Sequence, residues 1–443
     1  MLYTRIVTAP IVDRSSQRFG AYYLALLLVG PVVYDLVLRV FHDAGAFGVL
    51  PWSLVALYGS AIAAAVCWVR FSANARWSPW MRAWLVLGVL VWLFVMASAG
   101  LHGEEVVGAA AFVPVTFLLI LIKRPSRQDC WRAADAFAWV TVVAIAVLLI
   151  LEVGNVISPW YADHGRVGVD LLQFDRANYW LPLTGPLGLE GRWGGLPGYP
   201  NIAGQMGALL VVYGLSRPAR RRWVFVLAGL ITLLLTDSRT SYAAAAVGLL
   251  LLTVLPGWGA TYWKITPARV VALVLALAMG LRVLIQVVMD PSLTGRLAMW
   301  REFFSLVRGF LPFGTGQDVI DSAIADGSLP AWAHQGHNLF LDTFVRYGLV
   351  GLVITVLFVG LAVVLTFRPI GREVGVGLAM IGALIVSCLG DLGIGWTYPS
   401  EGLSFLLVAV LVSQVERGTY ALAAASSSVA TSTTSTPSAT PSD

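Results

Sequence analysis

The sequence predicts an all-α polytopic membrane protein of about twelve transmembrane helices, and three observations lead there. Hydrophobic residues make up 58% of the 443-residue chain against 12% charged ones, apolar runs recur from residue 20 to residue 415, and mean hydropathy is +0.79. So little charge cannot cover a water-facing surface, and it suits a chain whose solvent is lipid. The basic residues also cluster in alternate connections, the pattern of short cytoplasmic loops that retain Lys and Arg during insertion.

Runs of about 17 to 22 apolar residues are long enough to cross the hydrocarbon layer as helices. In chain order they fall near 20–40, 48–69, 83–101, 105–122, 136–157, 200–215, 223–237, 240–256, 269–289, 346–367, 374–390 and 402–416. The connections between them hold Arg70, Arg76 and Arg82, then Lys123, Arg124, Arg127 and Arg132, then Arg217, Arg220, Arg221 and Arg222, then Lys264 and Arg269, then Arg368 and Arg372. All of these share one side if both termini are cytoplasmic.

The opposite side receives two long loops, about 158–199 and 290–345, and short ones including 237–239 and 391–401. Residues 1–19, with Arg5, Arg14 and Arg18, read as a cytoplasmic N-terminus before an uncleaved first span, because no small-residue cleavage site follows. Residues 418–443, rich in Ser, Thr, Ala and Pro, are expected to form a disordered cytoplasmic tail. Cys67, Cys130 and Cys388 fall in or beside spans or in a cytoplasmic loop, so no disulfide framework is expected. In a cell with this topology the long loops face the periplasm or exterior, where ATP and nucleotide sugars are absent. Chemistry there needs an activated donor delivered by the membrane.

All five histidines, His42, His102, His164, His334 and His337, fall on that outer side. In AHQGHNLFLDTFVRYGLVGL, His337 stands at the mouth of a long apolar helix, where a side chain that titrates near neutral pH meets a substrate held at fixed depth by lipid. Its plain alternative is a helix cap or a headgroup contact. The i, i+3 spacing of His334 and His337 would place both on one helix face if the helix starts early enough. A metal pair is disfavoured, since there is no DxD motif, no HExxH and no cysteine partner.

Both lysines are assigned to the cytoplasmic side, so the outer face is basic through arginine alone: Arg39, Arg166, Arg176, Arg192, Arg239, Arg282, Arg296, Arg301, Arg308 and Arg346. The guanidinium fork matches phosphate oxygens and keeps its charge when partly buried, so a pyrophosphate suits this surface. Arg239 lies in the short turn TDSRT between two spans, where its charge is held at the hydrocarbon boundary and has either a partner or a snorkelling route. Arg296 follows Gly295 at the start of an amphipathic stretch whose Leu297, Trp300, Phe303, Phe304 and Val307 oppose Arg301, Glu302 and Arg308, as in a helix lying on the membrane. EGRWGGLPGYPNIAG, residues 190–204, is irregular until a helix begins near Asn201, and its exposed N–H groups, with Arg192 and Tyr199, offer a site for an anion.

Four collinear segments resemble the O-antigen ligase and polymerase superfamily of bacterial envelope glycosyltransferases. They are PNIAG at 200–204, the T-x-SRT turn at 236–240, TGRLAMW with the downstream PFGTG at 294–316, and HNLFLDTFVRYGLVGL at 337–352. The resemblance implies a GT-C-like glycosyltransferase domain over about 20–417 that moves a glycan from an undecaprenyl pyrophosphate carrier to an acceptor at the periplasmic face of the inner membrane, without metal or other cofactor. It also implies His337 as the catalytic histidine, Arg239 and Arg296 as pyrophosphate ligands with Arg192 or Arg301 beside them, and Asn338, Asp391 and His334 in support.

The partners it implies are the lipid-linked donor, a lipid A-core acceptor and membrane lipid, and no nucleic acid. Outer loops of moderate length without a large soluble domain favour a ligase over a polymerase or a protein O-oligosaccharyltransferase. A transporter of lipid-linked sugars is the reading from a different class, and transporters usually carry internal repeats or broken midplane helices, of which no repeat is found here.

Overall fold

The computed structural model describes residues 14–42, 59, 77–101, 112–122, 124–154, 156, 193–197, 199–217, 222–255, 266–289, 296–307, 312–330, 333, 336–367, 374–391, 394 and 400–414. Among these residues all regular structure is helical. In chain order the helices are α1 (Arg14–His42), α2 (Pro79–Leu101), α3 (Phe112–Ile122), α4 (Arg127–Val153), α5 (Pro200–Ser216), α6 (Arg222–Thr236), α7 (Arg239–Val254), α8 (Pro267–Met289), α9 (Arg296–Val307), α10 (Gly316–Ala325), α11 (Leu339–Phe367), α12 (Val374–Gly390) and α13 (Glu401–Gln414). Each expected span overlaps a helix except 48–69, of which residue 59 alone is described, and in 105–122 the described part is Phe112–Ile122.

Among the described residues, four helices can cross a membrane by length and composition: Pro79–Ser98 in α2, Gln128–Val153 in α4, Pro267–Val288 in α8 and Leu339–Phe367 in α11. Other apolar helices, Arg222–Thr236 and Arg239–Val254 among them, run 10–17 residues. At a rise of about 1.5 Å per residue, such helices are shorter than a hydrocarbon layer of about 30 Å. On α8 the side chains of Val270, Leu273, Val274, Leu277, Leu281, Leu284 and Val288 are exposed, an apolar face suited to acyl chains.

Close packing depends on small residues. A Cβ added at Gly229 of α6 would come within 2.5 Å of the Gly207 carbonyl of α5, so the two backbones touch as small residues permit. One added at Gly390 would meet the Thr240 side chain at 2.5 Å, which holds the end of α12 against the start of α7. Elsewhere the core is aromatic. Trp84 of α2 stacks on Phe358 of α11 at 5.2 Å, and its indole N–H donates to the Phe358 carbonyl at 3.1 Å. Phe117 of α3 meets both rings edge-on.

Polar pairs mark the two ends of the bundle. At one end Arg217 bonds Asp135 at 2.8 Å and lies 4.2 Å over the Trp131 ring, joining α4 and α5. At the other end Arg39 of α1 donates to Glu152 of α4 at 2.6 Å, and the Trp193 indole donates to the same carboxylate at 2.5 Å. The Trp193 backbone N–H then reaches the Leu235 carbonyl of α6 at 3.0 Å.

The stretch between α8 and α11 builds a small core of its own, in which Met299, Phe303, Val307, Ile320, Ala323, Leu329, Ala333, Leu341 and Val345 are buried together. This divides the expected membrane face of α9. Phe303 and Val307 pack inward while Leu297 and Phe304 stay exposed, because α10 and the segment after it cover one side of the helix. The helix α10 was not expected, although Ile320, Ala323 and Ile324 carry its period.

Two outcomes follow from this packing. Arg39→Met strands a buried carboxylate and should cost about 3–5 kcal/mol in thermal unfolding in detergent, whereas Arg39→Met/Glu152→Gln should recover most of the loss. Gly390→Ala should cost about 1–3 kcal/mol through overpacking, and Gly390→Ala/Thr240→Ala should cost less than Gly390→Ala alone, since it clears most of the clash. Melting temperatures of the four variants check both.

Candidate active site

The end of α12 presents carbonyls that no further helical turn satisfies, and side chains from three other segments converge on it. The Arg296 guanidinium, at the first residue of α9, donates to the Gly390 carbonyl. Thr240, in the first turn of α7, reaches the same carbonyl at 3.5 Å. Asn338 donates through Nδ2 to the Leu389 carbonyl at 2.8 Å, while its Oδ1 accepts the N–H groups of Phe340 and Leu341 at 3.0 and 3.1 Å and so caps α11. His337 Nδ1 lies 3.7 Å from Asp391 Oδ2, with the carboxylate 4% exposed and the imidazole 16%. At that distance the contact is electrostatic and longer than a hydrogen bond.

His337, Arg296 and Asp391 therefore share one place. Arg239 opens α7 beside Thr240, one residue from the contact with Gly390. Tyr199, immediately before α5 and half exposed, has its phenol held above the ordinary value by partial burial and then by the negative charge of Asp391, which sets it near the same carboxylate. Arg301 is exposed on α9, five residues on from Arg296 and so about 140° round the helix. Arg192 and His334 lie outside the described residues. Because α11 begins at Leu339, His337 precedes the helix, and the expected i, i+3 register with His334 falls outside the described residues.

The turn that carries Arg239 is tightly held. Asp237 has φ 42°, a left-handed conformation for a non-glycine residue, and its two carboxylate oxygens accept from Arg282 Nη2 at 3.1 and 2.9 Å. Gln286 adds a bond at 3.3 Å. Ser238 caps α7 by accepting the Ser241 N–H at 3.3 Å, and its hydroxyl donates to Asn201 Oδ1 at 2.9 Å. The Ser241 hydroxyl donates to the Asn201 carbonyl at 3.1 Å. Arg282 is thus engaged with protein. PNIAG and T-x-SRT, distant in sequence, are hydrogen-bonded to each other.

Sequence reasoning singled out His337, Arg296, Asn338 and Asp391, which lie together here, and missed Thr240 and the backbone partners. Nothing in the letters Leu389 and Gly390 marks a carbonyl as an acceptor for Arg296 or Asn338. Chemically, the arrangement sets an imidazole beside a buried carboxylate and a guanidinium within one turn of backbone. That combination can take a proton from a hydroxyl and bind an anion.

Residues 223–356 match the family model described as O-antigen ligase. No curated protein matches the chain. The matched residues contain the start of α7, all of α9 and α10, and the turn that carries His337. Over this segment the chain is similar to the O-antigen ligase family, and its described residues include several helices long and apolar enough to cross a membrane, as in a multi-pass membrane protein.

Proposed function

We propose that the chain is an O-antigen ligase of the bacterial inner membrane, with a GT-C-like domain over about 20–417 and its site on the periplasmic side. It transfers a glycan from undecaprenyl pyrophosphate to a sugar hydroxyl of lipid A-core. The observation that carries this reading is the meeting of Arg296, His337 and Asp391 at the end of α12. The basic clusters of the opposite connections support the orientation.

In the reaction, His337 takes the proton of the acceptor hydroxyl as its oxygen attacks the anomeric carbon of the donor's first sugar. The bond from that carbon to the pyrophosphate oxygen breaks, the electron pair leaves with undecaprenyl pyrophosphate, and the configuration inverts. With Nδ1 toward Asp391, the base is Nε2, and the carboxylate stabilises the imidazolium that forms. Arg296 and Arg239 offset the charge growing on the leaving pyrophosphate. Two fixed guanidiniums supply what a divalent cation supplies to nucleotide-sugar enzymes, so no metal takes part.

The test is transfer from an undecaprenyl-pyrophosphate-linked glycan to lipid A-core by the full-length chain in detergent with EDTA. His337→Ala should lower kcat by about 10²–10⁴-fold. Arg239→Ala and Arg296→Ala should each lower it by about 10²–10³-fold, with Lys at either position recovering only part. Activity that depends on added divalent metal would overturn the metal-free mechanism. No transfer to lipid A-core, but extension of the lipid-linked glycan itself, would assign the polymerase reaction instead.

A further inference from the structure

Among the described residues, two non-glycine residues adopt positive φ, Asp237 and His337. The φ of 45° at His337 costs about 1–2 kcal/mol in an L-residue, and such a conformation persists only where the surroundings enforce it. The enforcement is visible one residue upstream. Gly336 donates its N–H to Asp342 Oδ1 at 2.9 Å, and its carbonyl accepts the indole N–H of Trp300 on α9 at 2.8 Å. Asp342 is 4% exposed, stands in the first turn of α11, and has its other oxygen 3.0 Å from Arg346 Nε one turn on.

Arg346 is itself fixed. Gly314, at φ 79°, packs directly on its backbone carbonyl, and the Thr315 N–H donates to the neighbouring Val345 carbonyl at 2.8 Å. Gly336 is therefore gripped at both of its backbone polar groups, its N–H from α11 through Asp342 and its carbonyl from α9 through Trp300. Asn338 anchors the peptide after it.

We propose that Asp342 is a positioning residue for His337: backed by Arg346 and assisted by Trp300, it pins Gly336 and so holds the histidine in its left-handed conformation with the ring beside Asp391. The role rests on His337 being the base proposed above. The aspartate touches no substrate. It acts through one backbone N–H, and its effect falls on the chemical step while leaving donor binding to the arginines.

The test uses the full-length chain in detergent carrying Asp342→Ala, Asp342→Asn or Trp300→Phe, with two readouts. In glycan transfer, Asp342→Ala should lower kcat by about 10- to 100-fold, as misplacement of a reacting group does, with the donor KM little changed. Asp342→Asn keeps an oxygen for Gly336 and should retain more activity, and Trp300→Phe should lower kcat less than Asp342→Ala does. In the second readout, carbethoxylation by diethyl pyrocarbonate followed by peptide mass spectrometry, His337 should react faster in Asp342→Ala and Trp300→Phe than in the wild type, with the other histidines unchanged.

Wild-type kcat and an unchanged His337 rate in both variants would overturn the proposal. So would an equal fall of kcat and melting temperature in Asp342→Ala and Asp342→Asn, the mark of a stability role alone. Should Asp342→Ala fail to fold, Trp300→Phe carries the comparison. If His337→Ala itself retains transfer, the base reading fails, and the modification rates still decide whether Asp342 holds the ring.

Discussion

The site depends on the open end of one helix. The last carbonyls of α12 carry the negative end of its dipole and have no partners of their own. Donors from α7, α9 and the turn before α11 supply those partners. A single backbone surface thereby sets the positions of Thr240, Arg296 and Asn338 relative to one another, and Asp391 extends it with a carboxyl group facing His337. Each donor comes from a different stretch of chain, so the end of α12 works as a common reference point. A displacement of α12 along its axis would move every one of these contacts together.

Around that reference point the polar groups divide into those that face the reaction and those that hold them. Arg282 grips Asp237 and so shapes the turn before Arg239, and Asp342 with Arg346 shapes the turn before His337. In the first pair the aspartate is itself left-handed, and the second stands just beyond the left-handed His337. Their guanidiniums look the same as that of Arg296 in the sequence, and only the structure shows that Arg282 and Arg346 each face a carboxylate.

Much of the helical architecture was legible in the chain because apolar runs of sufficient length have one stable outcome in lipid. The start of α5 at Pro200 and the short turn between α6 and α7 followed from Pro, Gly and Ser placed where helices begin. The region between α8 and α11 was less legible. Its helices pack on a local core with one face left exposed, so Phe303 and Phe304, alike as letters, go to opposite environments. At the candidate site, His337 and Arg296 were singled out by side-chain chemistry and Asp391 through the family resemblance. The carbonyls of Leu389 and Gly390, the N–H of Gly336 and the indole of Trp300 were not, because a backbone acceptor leaves no mark in the residue type.

The break within α11 has a mechanical meaning. Gly348, at φ 66° and ψ −164°, interrupts the helix, and the PFGTG segment seats itself in the gap, with the Val350 N–H donating to the Pro312 carbonyl at 3.2 Å. Before the break, Leu341 and Val345 are buried in the small core with Phe303 of α9, and beyond it the helix runs on as an apolar segment to Phe367. A side chain at Gly348 or at Gly314 would collide with the opposite backbone, so the two segments are held together by what these glycines lack. The turn that carries His337 is thereby tied to the segment before α10 as well as to the long apolar helix.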